Sequence, residues 1–252
     1  MPTLIVFDID GTLLHSVAPH QAAFVDALDA VGLTRPDTNW GGYRHLTDSW
    51  IYREVFRARR GRAPEPAEFA EFDRRFEELF EARIGGGRLA ALDGAPGFVR
   101  RLFDEPDVAV VFATGGLRGV TEAKLRSAGL EVPVGRIATA SDHTYREHVV
   151  REAVHRATGS RAAGAGFDRI IAFGDGPWDV RAALALGFEF VGVGESGRAF
   201  GPWFPSTHLI ARYEQVDLRR DYTLTPPPQA VPPAPESDGD FTAGPAACAC
   251  WS

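Results

Sequence analysis

The sequence predicts an α/β protein in which a doubly wound parallel sheet carries an inserted α-helical cap domain. Three observations lead there: short apolar runs without strict alternation, helical patterns between them that stop at glycine, and a stretch from about 17 to 89 where helical patterning continues with no buried strand. Strands alternating with helices of this length form βαβ units, which close only as a parallel sheet covered on both faces.

The first element, "TLIVFDI" at 3–9, is β-branched and aromatic, as suits a strand buried on both faces. "PHQAAFVDALDAVG", "TDSWIYREVFRARRG" and "PAEFAEFDRRFEELFEARI" then read as three amphipathic helices, with the phenylalanines of "FAEFDRRFEELF" at helical spacing as their own core. "GGGRLAALDGAPG" is a glycine-rich hinge back to the sheet. Strands are expected at "VAVVFAT" (108–114), "RIIAFGD" (169–175) and "FEFVGVG" (188–194), with a weaker one at "GRIATA". Between them lie the helical segments "GAPGFVRRLF", "LRGVTEAKLRSAGL", "YREHVVREAVHRATG" and "PWDVRAALALG", the last three ending at Gly129, Gly159 and Gly187. The expected division is a core of 1–16 and 90–220, a helical cap of 17–89, and a proline-rich tail of 221–252 that lies outside the fold and is disordered.

Composition narrows the partners. A chain of 252 residues with formal net charge −7 has no basic face for a phosphate backbone, which disfavours nucleic acid. No apolar run approaches a membrane span and no secretory leader pattern opens the chain, so no membrane association and a cytoplasmic location are expected. Cys248 and Cys250 are too few and too late for a disulfide framework or a zinc site. Of 27 basic side chains one, Lys124, is a lysine. Oligomeric state has no signature here.

In an open parallel sheet, ligands bind beyond the carboxyl ends of the strands. There stand Asp8, Asp10, Gly11 and Thr12 after the first run, Thr114, Gly115 and Gly116 after the second, and Asp175 and Asp179 of "GDGPWD" after the third, with Arg146 opening the helix before it. Each alone could cap a helix or shape a turn. Together, four carboxylates at one sheet edge repel one another unless a cation joins them, and oxygen-only donors suit Mg2+. Thr114, the backbone N–H of Gly115 and the Arg146 guanidinium supply phosphate-oxygen donors.

"DIDGTL", the strand-end Thr114, the basic residue opening a later helix and "GDGPWD" resemble the four ordered motifs of the haloacid dehalogenase superfamily, in its helical-cap branch of phosphoglycolate phosphatase and β-phosphoglucomutase type. The resemblance spans about residues 3–212 and implies a Rossmann-like core. It also implies roles: Asp8 as nucleophile, Asp10 as acid and base, Thr114 and Arg146 against the phosphoryl group, and Mg2+ held by Asp8, Asp10 through its carbonyl, Asp175 and Asp179. The implied activity is a Mg2+-dependent phosphatase acting on a small phosphorylated metabolite through an aspartyl-phosphate. A sugar-phosphate mutase, or a catalytically weak relative that binds phosphate ligands as a regulatory module, shares these motifs.

The third motif is usually a lysine where this chain has Arg146, whose planar fork is not a point charge. Lys124 lies on the helix after the second strand, the wrong element for that motif, and is expected to be a solvated helix residue. In helical-cap members a cap loop selects the substrate, and here the candidate is "WGGYRHLTDSW". Its polar tips are Tyr43, Arg44, His45 and Asp48; Thr47 and Asp48 can equally serve as helix caps, whereas Arg44 and His45 have no such local role and are the expected substrate contacts. The basic run "YREVFRARRGR" is expected to be a solvated helix face.

Overall fold

The computed structural model describes residues 2–158 and 166–226. Six strands form one parallel sheet in the order β3-β2-β1-β4-β5-β6, with β1 at Thr3–Phe7, β2 at Val108–Ala113, β3 at Ile137–Ala138, β4 at Arg169–Gly174, β5 at Glu189–Val193 and β6 at Leu209–Ile210. Every residue of β1 is buried, as its unbroken apolar run predicts. Ile5 and Phe7 face one side, where they meet Val110, Phe112, Ile171, Phe173 and helix α4 (Ala95–Asp104). Leu4 and Val6 face the other, against α6 (Arg146–Thr158) and α7 (Pro177–Leu186).

Phe7 pairs in register with Phe112 on one side and Phe173 on the other, and the three rings pack as a layer with centroids 5.9 and 4.9 Å from Phe7. The strands therefore stop at one level. Asp8 comes directly after Phe7, while Thr114 and Asp175 come two residues after Phe112 and Phe173.

The segment after β1 folds as α1 (Val17–Ala30), α2 (Asp48–Arg60) and α3 (Pro66–Ile84), whose shared core contains Phe24, Tyr52, Phe72, Phe76 and Phe80. Helix α5 (Arg118–Ala128) lies at the junction between this insert and the sheet. Its Leu125 and Ala128 pack into the sheet core, while Val120 and Ala123 pack into the core of the insert. Gly61, Gly85, Gly129 and Gly187 end α2, α3, α5 and α7 in the left-handed conformation expected of a helix stop; Gly159 lies outside the described residues.

Two features depart from the sequence reading. Strand β6 has two residues, too few for a periodic signal, and pairs with β5 at the sheet edge. Tyr222 falls within the segment expected to be tail, yet it is buried in the sheet core, its carbonyl accepting from Phe190 N at 3.1 Å and its N–H donating to Glu189 Oε2 at 2.9 Å. An isolated tyrosine before a proline-rich run gives no periodic pattern, although its ring packs edge-on against His208 with centroids 5.4 Å apart. The proline-rich residues 227–252, with both cysteines, lie outside the described residues. Among those described, no helix is long and apolar enough to cross a membrane.

Candidate active site

The strand ends deliver an acidic cluster. Asp8 Oδ1 accepts from Arg146 Nη2 at 2.6 Å, and its Oδ2 accepts from Thr12 Oγ1 at 3.1 Å. The same Arg146 Nη2 donates to Asp179 Oδ1 at 2.5 Å. Arg146 reaches this position because α6 begins there and packs against the sheet, which buries its side chain. Asp179, in the first turn of α7, also accepts from the Gly176 N–H at 3.2 Å. Asp175 approaches Gly11, which sits at φ +76°; a Cβ on Gly11 would collide with the Asp175 carboxylate, so the position requires glycine twice over. Thr12, beneath Asp8, has its carbonyl held by the Tyr213 hydroxyl at 2.8 Å.

The charges in this cluster do not balance. Carboxylate oxygens of Asp8, Asp175 and Asp179 lie within 4.8 Å of one another, and the one guanidinium among them, that of Arg146, pairs with Asp8 and Asp179. Burial raises the Asp8 carboxyl; Arg146 opposes this, but Asp179 and Asp10 add to it, and the result is about 7. Burial, then the charges of Asp8, Asp179 and Asp10, push Asp175 to about 9. Asp179 is likewise raised by burial, with Arg146 opposing. Moreover, Asp175 Oδ1 is buried with no hydrogen-bond partner. A group of oxygen donors that would carry two negative charges in excess when fully ionised, with an orphaned carboxylate oxygen, fits a divalent cation.

Asp10 belongs to a different network. Its Oδ2 accepts from Lys124 Nζ at 2.7 Å and its Oδ1 from Ser16 Oγ at 2.5 Å. Ser16 stands at the N-cap of α1 but makes no side-chain cap bond, its hydroxyl being directed to Asp10 instead. Lys124 is fully buried and lies 2.8 Å from His20 Nδ1. Since an ammonium only donates, Nδ1 accepts and the ring proton sits on Nε2, which donates to Asp48 Oδ1 at 3.0 Å. Asp48 Oδ2 accepts in turn from the Leu117 N–H at 2.9 Å. Burial would raise the Asp10 carboxyl, but the Lys124 charge, together with the hydrogen bonds from Lys124 and Ser16, outweighs it and holds it down to about 2. The expectation of a solvated Lys124 is thus overturned. Positions 117, 121, 124 and 128 form one helical stripe of Leu, Thr, Lys and Ala, all buried, and that spacing was the available signal.

The loop ahead of α2 meets the second strand end. Asp48 N donates to the Gly115 carbonyl at 2.8 Å, and a Cβ on Gly115 would run into the Leu46 carbonyl. Thr47 is the N-cap of α2, accepting from Trp50 N at 3.3 Å. Thr114 is buried, its Oγ1 accepting from Gly116 N at 3.1 Å, so Gly115 and Gly116 rather than Thr114 face the cleft. Arg44 and His45 do not line it. The His45 ring lies against Trp50 and Tyr145 at 4.8 and 4.7 Å, and its Nδ1 is 3.5 Å from Glu147 Oε2. The chain bends at 43–45 before it enters α2, and from this loop it is Leu46 and Asp48 that face the cleft. Sequence reasoning missed His20 and Lys124, and left Asp48 open between a helix cap and a polar tip facing the cleft, where the structure places it. His20 precedes Phe24, Ala27 and Leu28 on the buried stripe of α1, which marks it as inward-facing.

Between the sheet edge and the insert lies a cavity of about 110 Å3, reached by Asp8, Asp10, Asp175 and Arg146 from below and by α1, α2 and their loop from above. The arrangement can hold a divalent ion and a small anion beside the Asp8 carboxylate.

The sequence model of one family, the haloacid dehalogenase-like hydrolases, matches residues 2–187. No curated protein matches the chain in sequence. Among solved structures, a hydrolase from Pseudomonas syringae is 22% identical with a TM-score of 0.60, over 79% of this chain and 89% of that one. A CbbY variant from Rhodobacter sphaeroides in complex with xylulose-(1,5)bisphosphate is 20% identical with a TM-score of 0.60, over 86% and 100%. A β-phosphoglucomutase from Clostridium difficile is 13% identical with a TM-score of 0.63, over 87% and 95%. At these identities the likeness is one of fold.

Proposed function

Because the chain belongs to the haloacid dehalogenase-like hydrolases, we propose that it is a Mg2+-dependent phosphatase that hydrolyses a small phosphorylated metabolite through an aspartyl-phosphate on Asp8. The observation that carries this reading is Asp8 itself: a buried carboxylate at a strand end, fixed by Arg146 and Thr12, beside an acidic cluster with an orphaned oxygen on Asp175.

In the first step an Asp8 carboxylate oxygen attacks phosphorus, the bond from phosphorus to the ester oxygen breaks, and the leaving alkoxide takes a proton from Asp10. In the second, water attacks the phosphoryl group while giving its proton to Asp10, and the Asp8 carboxylate leaves. Pairing with Lys124 keeps Asp10 ionised and favours the second step; protonating a strongly basic alkoxide requires that pairing to loosen. Arg146 orients Asp8 and screens the approach of two anions. Mg2+, held by Asp8, Asp175, Asp179 and the Asp10 carbonyl, would stabilise the phosphoryl oxygens in transit.

The test is Mg2+-dependent phosphate release across a panel of metabolite phosphates, run beside Asp8→Asn. Release is expected from at least one compound and lost in the variant. Equal, slow release by both proteins from every compound would end this reading, and an isomeric sugar phosphate in place of free phosphate would favour a mutase.

A further inference from the structure

The cleft has two chemically distinct halves. The floor carries the acids, Arg146 and the glycine backbone of the second strand end. The walls are Val17, Phe24, Trp40, Leu46, Ile51 and Trp178, all apolar or aromatic. Trp40 is fixed edge-on against Phe24 with centroids 5.9 Å apart, and its other neighbour, Tyr43, stacks on it at 6.3 Å.

Positive charge is confined to the floor. Among the described residues that line the cleft, Arg146 is the one arginine or lysine, and it is committed to Asp8 and Asp179. The polar residues higher up are His20, Gln21 and Asp48. His20 has both ring nitrogens engaged, by Lys124 and by Asp48. Asp48 is an acid. Four arginines in and just after α2 point elsewhere: Arg57 to Glu54, Arg59 to the Arg35 carbonyl, Arg60 to the Gly32 carbonyl and Arg62 to Glu68. A second anionic group on a substrate, whether phosphate or carboxylate, would enter an apolar chamber whose charged lining residue above the floor is Asp48. Burying an anion without a partner is strongly unfavourable. An uncharged ring or alkyl group there gains burial and, beside Trp40 and Trp178, ring contacts.

We propose that the part of the substrate beyond the scissile phosphate is uncharged and apolar, an aryl or alkyl monophosphate ester with no second anionic group, small enough for the chamber. This rests on the phosphomonoester reading above and narrows it. The walls select by what they lack: the chamber admits an ester whose phosphate is its sole anionic group and turns away bisphosphates and phosphorylated acids.

Two matched compounds test it: phenyl phosphate, and 4-carboxyphenyl phosphate, which adds one carboxylate to the same ring. In Mg2+ buffer, kcat/KM is expected to be at least tenfold higher for phenyl phosphate. Binding to Asp8→Asn and to the wild-type protein, monitored by quenching of cleft tryptophan fluorescence, should show the same preference in Kd without needing turnover. Val17→Lys adds a cation at a lip position that is 37% exposed, and should bring the ratio of the two compounds to within threefold. Equal or stronger binding and turnover of the carboxylated ester, binding of neither compound, or an unchanged ratio in Val17→Lys would each overturn the proposal. Preferential binding of phenyl phosphate without any phosphate release from it or from other esters would instead uphold the selectivity and overturn the hydrolase reading.

Discussion

Replacing Lys124 by methionine probes the least expected part of this molecule. The ammonium is fully buried, 2.7 Å from Asp10 Oδ2 and 2.8 Å from His20 Nδ1, and lies 5.7 Å from the centre of the Phe80 ring. Methionine keeps most of the volume and removes the charge. Deleting one partner of a buried ion pair costs about 3–5 kcal/mol, because the survivor is left uncompensated. Asp10 retains Ser16, and its side chain is 19% exposed, so the lower figure of about 3 kcal/mol applies. In a domain of this size each kcal/mol lowers Tm by about 2–4 °C, giving a loss of about 6–12 °C at pH 7. The pH dependence comes from the Asp10 carboxyl, which Lys124 holds at about 2 against the ordinary 3.8. A depressed carboxyl contributes stability above its unfolded value and loses it as pH falls toward the folded one. The gap between wild type and Lys124→Met should therefore narrow between about pH 4 and pH 2. Urea melts across that range, with Asp10→Asn and the double variant to isolate the pair, measure it. A loss below about 0.5 kcal/mol at pH 7, the scale of a solvated surface position, would refute the buried pairing.

Three further outcomes are expected. Arg146→Ala should lower kcat/KM at least tenfold, in line with about 1.5–3 kcal/mol for a charge-assisted contact, and unchanged kinetics would place the anion clamp elsewhere. Gly115→Ala forces a methyl group toward the Leu46 carbonyl and should cost about 1–3 kcal/mol in a denaturant melt; a neutral result would mean that the insert loop yields freely. The acids of the cluster titrate in the opposite sense to Asp10: with Asp8 raised to about 7 and Asp175 to about 9, the folded chain holds protons that the unfolded chain releases, so metal-free stability falls as pH rises from about 4 toward 9. Mg2+ at a fixed concentration, a hundredfold its Kd at pH 8, should restore about 2.7 kcal/mol, or about 5–10 °C in Tm, at pH 8 and distinctly less at pH 5, where protons compete for the same carboxylates. A gain that is equal at both values would separate the ion from this cluster.

The strand ends were legible in the sequence because parallel strands buried on both faces must be continuous apolar runs, and the polar residues just beyond each run stand out against them. The three-residue register of Phe7, Phe112 and Phe173 turns that linear pattern into adjacency. The three helices of the insert were legible through their periodicity, and Phe72, Phe76 and Phe80 are fully buried as their spacing requires. Two-residue strands such as β6 carry no period to read. Nor does composition show which side chains of a bent loop turn inward, and here Leu46 and Asp48 rather than Arg44 and His45 face the cleft. Lys124 was misread for a third reason. Lysine as a residue type favours solvent, and that general preference was set above its place on the buried stripe of α5, where two separate cores meet.

The chain has 26 arginines and a single lysine. Amine-directed acylating reagents therefore have two targets, the α-amino group and Lys124, and the second is sealed at the seam between sheet and insert. Its acylation rate becomes a clock for parting of that seam. One modified peptide, counted by mass, would report how often the insert lifts from the sheet, and a ligand that closes the cleft would slow it.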